Sequence, residues 1–166
     1  VLDLGTGPGT LLLAALSELP AATGLGVDAS AAALEYACRN AESTGLANRA
    51  QFRLGNWGEG IDQRFDIILS NPPYIGSDEE LMSDVVEFEP ASALFAGPDG
   101  LDDYRRLMPQ FDRLLTDNGL VLLEIGYKQA NAVMALAENA GFFVRCFSDL
   151  AGRDRALLLS RIAISA

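Results

Sequence analysis

Within its first nineteen residues the chain passes from an apolar strand pattern, through three glycines, into a helical pattern. Val1-Leu2-Asp3-Leu4 reads as a short buried strand, Gly5-Thr6-Gly7-Pro8-Gly9 ends it, and Thr10 to Leu19 repeats apolar residues at helical spacing until Pro20. A strand that turns into a helix over glycines is the opening half of a parallel βαβ unit. Glycine is suited to that turn because it tolerates positive φ and, lacking Cβ, lets another group come close to the backbone.

The remaining pattern extends the same alternation. Gly24 to Val27 reads as a second strand, followed by Asp28, a Ser30 N-cap and an alanine-rich helix to about Ser43. Gln51 to Leu54 is a third strand, and Phe65 to Ser70 a fourth, with the unbroken apolar run of strands buried on both faces. A helix is expected over Tyr104 to Leu115, then a fifth strand over Leu120 to Ile125 after an Asp117-Asn118-Gly119 turn. Gln129 to Ala140 reads as a helix closed by Gly141. Two strands follow, Phe142 to Phe147 and Ala156 to Ile162, with no helix between them, so the last should run antiparallel. The expected fold is α/β and Rossmann-like: seven strands, mostly parallel with an antiparallel last strand, and helices on both faces. Residues 1–166 read as one domain, a length that buries enough apolar surface for a core. Val1 already reads as the start of a buried strand, so the polypeptide is expected to continue upstream. The 29 residues between Tyr74 and Tyr104 carry little periodicity and exceed an ordinary connection, as a lid or binding surface would.

Composition removes several classes of function. The chain has no histidine, which excludes a Ser-His-Asp triad and any His-ligated metal; no metal site is expected. The net charge of -11, with no Lys/Arg cluster, argues against direct binding of nucleic acid, which rests on displacing phosphate counterions. No apolar run reaches the ~18 residues of a membrane span, and no signal peptide is visible. Cys38 and Cys146 lie far apart and outside any CxxC pair; they read as free buried thiols in a reducing compartment. A cytoplasmic location is expected.

Two constellations carry chemistry. The glycine loop has GxGxG spacing, with Thr10 where a dinucleotide fingerprint places its third glycine, which turns the reading from a nicotinamide cofactor toward S-adenosylmethionine. Asp28 ends the second strand nineteen residues after Gly9, where a carboxylate accepts from a ribose diol. After the third strand comes Gly55-Asn56-Trp57; Asn56 offers an amide oxygen where methyltransferases of this architecture usually carry an acid for the adenine amine. Trp57, the sole tryptophan, is either an adenine platform or a core residue. The second constellation is Asn71-Pro72-Pro73-Tyr74, directly after strand four, at the carboxyl edge where doubly wound sheets bind ligands. An amide nitrogen is a poor nucleophile and must be held in line with the methyl it attacks. The Asn71 side-chain oxygen and the Pro72 carbonyl can each accept one N–H of an NH2 group, the prolines fix those acceptors, and Tyr74 can pack on the planar substrate.

On these residues the chain resembles the HemK/PrmC family of protein-glutamine N5-methyltransferases. The resemblance covers nearly the whole chain. It is carried by residues 1–9 and 65–75, and by Phe88-Glu89-Pro90, Ala93-Leu94, Gly97 to Leu101, Tyr104-Arg105, Leu123-Glu124-Ile125-Gly126 and Asp149 to Arg155. It implies that Gly5, Thr6, Gly7, Pro8, Gly9, Asp28, Trp57 and Asn71 bind S-adenosylmethionine, and Asn56, expected at the adenine, departs from the acidic residue usual in the family. It implies that Asn71, Pro72, Pro73 and Tyr74 hold the glutamine of the GGQ loop of a class I peptide-chain release factor. It also implies a small N-terminal helical docking domain that this chain lacks. NPPY alone fits adenine and guanine amino-methyltransferases as well, and a cofactor-binding module without turnover is a third reading. Glu87, Glu89 and Glu124 are placed near a site by position but receive no catalytic role; Asp78-Glu79-Glu80 and Asp102-Asp103 read as solvated faces or caps.

Overall fold

The computed structural model describes residues 1–76 and 96–163. The strands are β1 (Leu2–Leu4), β2 (Gly24–Asp28), β3 (Ala50–Leu54), β4 (Phe65–Ser70), β5 (Leu115–Glu124), β6 (Phe143–Ser148) and β7 (Asp154–Ser160). The helices are α1 (Thr10–Glu18), α2 (Ala31–Ser43), α3 (Asp102–Leu114) and α4 (Ala130–Asn139). The strands form one seven-stranded sheet in the order β3-β2-β1-β4-β5-β7-β6. Pairs from β3 to β5 are parallel, and β7 runs antiparallel to both β5 and β6, as the missing helix between the last two strands required.

Side-chain alternation on the strands sorts the helices. Leu2 and Leu4 of β1 point with Val27, Ile68, Val121, Leu123, Leu157 and Leu159 into the larger apolar cluster, which Tyr104, Leu107, Met108, Phe111 and Leu114 of α3 and Val133 and Ala137 of α4 complete. Those α3 positions fall at helical spacing, which gives the helix one continuous apolar face. The second cluster joins Leu12, Leu13 and Leu16 of α1 to Ala41 of α2 and to Ala50 and Phe52 of β3. Close approach explains two glycines of β2. A Cβ on Gly24 would lie 2.5 Å from Leu12, and one on Gly26 would lie 2.8 Å from both Phe52 and the Thr6 hydroxyl.

Four expectations need correction. Strand β5 begins at Leu115, well before Leu120: its register on β4 jumps from Phe65↔Leu115 to Ile67↔Leu120, so the Asp117-Asn118-Gly119 turn is a bulge within the strand. Helix α3 starts at Asp102, two residues early, because Asp102 and Asp103 fill its acidic first turn. Asp103 is not solvated but buried, 3.3 Å from Arg106, and burial raises its carboxyl above the usual range. Cys38 is exposed and Cys146 half-buried, so neither is a core thiol. The expected binding loop, with Asp78-Glu79-Glu80, Glu87, Glu89 and the Phe88 to Leu94 motif residues, falls outside the described residues apart from its two ends.

Candidate active site

Four chain segments leave the sheet side by side at its carboxyl edge. Leu4 pairs with Val27 on one side and Ser70 on the other, and Asp28 pairs with Leu54. The glycine loop, Asp28, residues 55–57 and Asn71 to Tyr74 are therefore neighbours across adjacent strands about 4.8 Å apart. Chain order reverses between β1 and β4, which makes this the switch-point crevice of an open α/β sheet.

The glycine loop is an open cradle. Gly5, Gly7 and Gly9 have φ of 74°, 54° and 84°. A Cβ on Gly7 would meet nothing within 4 Å, so there is free space above the loop. The loop is anchored from below: the Gly5 and Thr6 amides donate to the Val27 carbonyl, and Asn40 of α2 donates to the Pro8 carbonyl at 2.9 Å. Asp28 is built into the same cradle, accepting from the Gly7 amide at 2.7 Å and the Ser30 amide at 2.8 Å. Each of its oxygens still has a second lone pair, enough for a diol. Thr6 faces inward: its buried hydroxyl donates to Asp3 at 2.7 Å, which leaves only its backbone to line the crevice.

Trp57 stands between the core and the glycine loop. Its half-buried indole packs against the larger core cluster, and the same ring lies 3.0 Å from where a Gly5 Cβ would stand. It is the one non-glycine with positive φ among the described residues, at 50°, a conformation that bulky side chains adopt only when their surroundings impose it. The surroundings are visible. Gln110 of α3 accepts from the Gly58 amide at 2.8 Å, and Arg113 donates to the Gly58 carbonyl at 2.8 Å and to that of Ile61. Asn56 is exposed and spends its amide NH2 on Glu59 at 2.7 Å, which leaves its oxygen as the group it offers to a ligand.

On the other side of the crevice, buried Ser70 donates to the Leu4 carbonyl at 2.8 Å and locks the end of β4 to the end of β1. Asn71 follows, exposed; Pro72 is buried and Tyr74 half-buried against the core. The Tyr74 carbonyl accepts from Gln129 at 2.8 Å. Glu124 is half-buried at the end of β5; burial raises its carboxyl, with Arg155 opposing. The glycine loop, Asp28, residues 55–57 and Asn71 to Tyr74 thus share one edge of the sheet, while Glu87 and Glu89 lie outside the described residues.

It adds Asp3, Asn40, Ser70, Gln110, Arg113 and Gln129. Only Asp3 carried a signal, an acid within an apolar strand; the others brace loops that are distant in sequence. Asp3 is 1% exposed, and its Oδ1 has no hydrogen-bond partner among the described residues. Burial lifts its carboxyl to about 6, against the pull of the Thr6 hydroxyl.

A release factor glutamine methyltransferase of Caulobacter vibrioides is 48% identical over 162 residues, spanning 95% of this chain and 56% of that protein. One from Rhodospirillum rubrum is 44% identical over 166 residues, spanning 98% of this chain and 51% of its own. The chain thus spans little more than half the length of these relatives. Among solved structures, a methyltransferase from Pyrococcus furiosus superposes with a TM-score of 0.72 at 20% identity, over 98% of this chain and 74% of its own, and shares the fold. The family model described as methyltransferase domain matches residues 1–149. A match of that extent, on a sheet of this strand order, places the chain in the methyltransferase domain family.

Proposed function

We propose that this domain transfers the methyl group of S-adenosylmethionine to the side-chain nitrogen of a protein glutamine, the GGQ glutamine of class I peptide-chain release factors. The observation that carries this reading is the adjacency of the open glycine cradle with Asp28 to an exposed Asn71 held between Ser70 and two prolines. The names of the relatives at 44–48% identity support the choice of glutamine and release factor.

The cradle suits the cofactor. The glycine backbone admits its amino acid moiety, Asp28 accepts from its ribose hydroxyls, and Trp57 with the Asn56 oxygen borders its adenine. S-adenosylmethionine supplies an electrophilic sulfonium methyl. Asn71 Oδ1 and the Pro72 carbonyl accept the two N–H groups of the glutamine amide, aim its lone pair along the S–CH3 axis and favour the positive charge that grows on nitrogen. In a balanced transfer the N–C bond would form at the expense of the S–C bond of the bound cofactor, whose electron pair would stay with sulfur. The methylated amide nitrogen then gives one proton to water, a step that needs no strong base. That suits a chain without histidine. Among the described residues no helix is long and apolar enough to cross a membrane, and we place the reaction in the cytoplasm, with the release factor as protein partner.

Radiolabelled S-adenosylmethionine, offered with a release factor, with its GGQ-to-GGA variant and with duplex DNA, tests the reading. Label should enter the first only. Label in DNA would favour the amino-methyltransferase of nucleic acid that NPPY also fits, and cofactor binding without any transfer would leave a binding module.

A further inference from the structure

The side-chain amide of Gln129, half-buried just before α4, hydrogen-bonds to three separate loops. Nε2 donates to the Tyr74 carbonyl at 2.8 Å and to the Gly100 carbonyl at 3.3 Å. Oε1 accepts from the Gly126 amide at 3.1 Å and lies 3.4 Å from the Tyr104 hydroxyl, which also reaches the Glu124 carbonyl at 3.2 Å. Two N–H donors and two acceptor lone pairs are all that a primary amide has. Its direction is fixed by the partners: turned over, it would set its oxygen against two carbonyls and its NH2 against an N–H.

Space for this amide depends on two glycines. A Cβ on Gly100 would lie 2.5 Å from the Tyr74 oxygen and 2.7 Å from Gln129 Nε2, and one on Gly126 would lie 2.6 Å from Oε1. Close by, the Ala96 amide donates to the Ile75 carbonyl at 2.9 Å. The segment 71–74 is therefore tied at both ends, through Ser70 to Leu4 before it and through Gln129 to Tyr74 after it. Between those ties Pro72 and Pro73 leave φ almost no freedom.

We infer that Gln129 is a positioning residue for the methyl acceptor, which fixes the aim of the Asn71 and Pro72 acceptors by holding the Tyr74 carbonyl. The inference rests on the glutamine-methylating reading above, and Gln129 itself touches no reacting group. Small displacements of an aligned nucleophile lower rates by about 10²-fold, while Asp28 and residues 55–57 follow β2 and β3, on the other side of β1 from β4.

Two variants of the full chain separate positioning from folding. Gln129→Met removes all four contacts without adding charge. Gln129→Glu keeps the shape, loses both donors and sets a carboxylate against two carbonyls; on protonation it regains one donor. Single-turnover methylation of a release factor at saturating S-adenosylmethionine should fall on the order of 10²-fold in both at neutral pH. S-adenosylhomocysteine affinity by calorimetry should stay within about twofold, since such a change corresponds to under about 0.5 kcal/mol. Relative to the parent, the Glu variant alone should recover rate as pH falls. Amide hydrogen exchange at Ala96 should quicken in both, and at Gly126 in the Met variant, which alone removes the acceptor of that amide. Parental rates, or a rate loss matched by an equal loss of S-adenosylhomocysteine affinity, would overturn the inference. If the parent methylates no release factor, the proposed reaction fails. The tie itself is then decided by exchange in the Met variant, where unchanged protection at both Gly126 and Ala96 would refute it.

Discussion

Asp3 lies mid-strand in β1, almost wholly buried, with one oxygen lacking a partner among the described residues, and this should register as a pH dependence of stability. Its carboxyl titrates at 3.8 when unfolded and at about 6 when folded, chiefly because burial disfavours the charged form. Between those values the native state binds more protons than the unfolded state, so stability falls as pH rises through the window. Below 3.8 the penalty is absent, and above 6 it is fully present. The displacement from 3.8 to about 6, at about 1.36 kcal/mol per pH unit, amounts to about 3 kcal/mol. Roughly half of that has already appeared by pH 5, so about 1.4 kcal/mol should be lost between pH 5 and pH 8. Asp3→Asn removes the charge and keeps an oxygen for the Thr6 hydroxyl. Urea unfolding of parent and variant, compared as a difference, cancels the other titrating groups. The advantage of the variant should grow by about 1.4 kcal/mol from pH 5 to pH 8. A difference that stays flat across that range would mean that the carboxyl does not ionise under this penalty, and the reasoning would fail.

Other residues of the crevice give independent tests. Asp28→Ala should weaken cofactor binding by about 1.5–3 kcal/mol in calorimetry, since it removes a charged acceptor and releases the Gly7 amide as well. S-adenosylhomocysteine should change the fluorescence of Trp57, the only tryptophan; a flat titration, with binding confirmed by calorimetry, would assign the indole to the core alone. Gly26→Ala should lower unfolding stability by about 1–3 kcal/mol, because its Cβ would press on Phe52 and on the Thr6 hydroxyl that Asp3 holds. Asn71→Ala should lower single-turnover methylation on the order of 10²–10³-fold, far more than it weakens cofactor binding, and Asn71→Asp should retain more activity than Ala but less than the parent.

What was legible in the sequence follows a physical division. Glycines at 5, 7 and 9, the prolines at 72 and 73, and the apolar periods of β4 and α3 state their conformations locally, so the succession of strands and helices and the lip of the crevice could be read from them. The Asp117-Asn118-Gly119 signal was locally sound as a chain reversal, but β4 continues past it on one side and the strand absorbed it as a bulge. Asp103 looked like a surface acid because nothing in its neighbourhood says which face of α3 turns inward at the first turn.

The braces of the site share a different property. Asn40 reaches Pro8, Gln110 and Arg113 reach Gly58, and Gln129 reaches Tyr74, each from a helix or its first turn and across 32 to 55 residues of chain. In every case the bonded group is a backbone amide or carbonyl, so the loop's own side chains carry no trace of the contact. A motif records what a loop must be; it cannot record what holds the loop still. Loops at a sheet edge have no ladder to satisfy their backbone groups, and buried ones must be paired by something. Side chains of the covering helices do that here, so those helix positions bear directly on the geometry of a reaction that needs its nucleophile aligned.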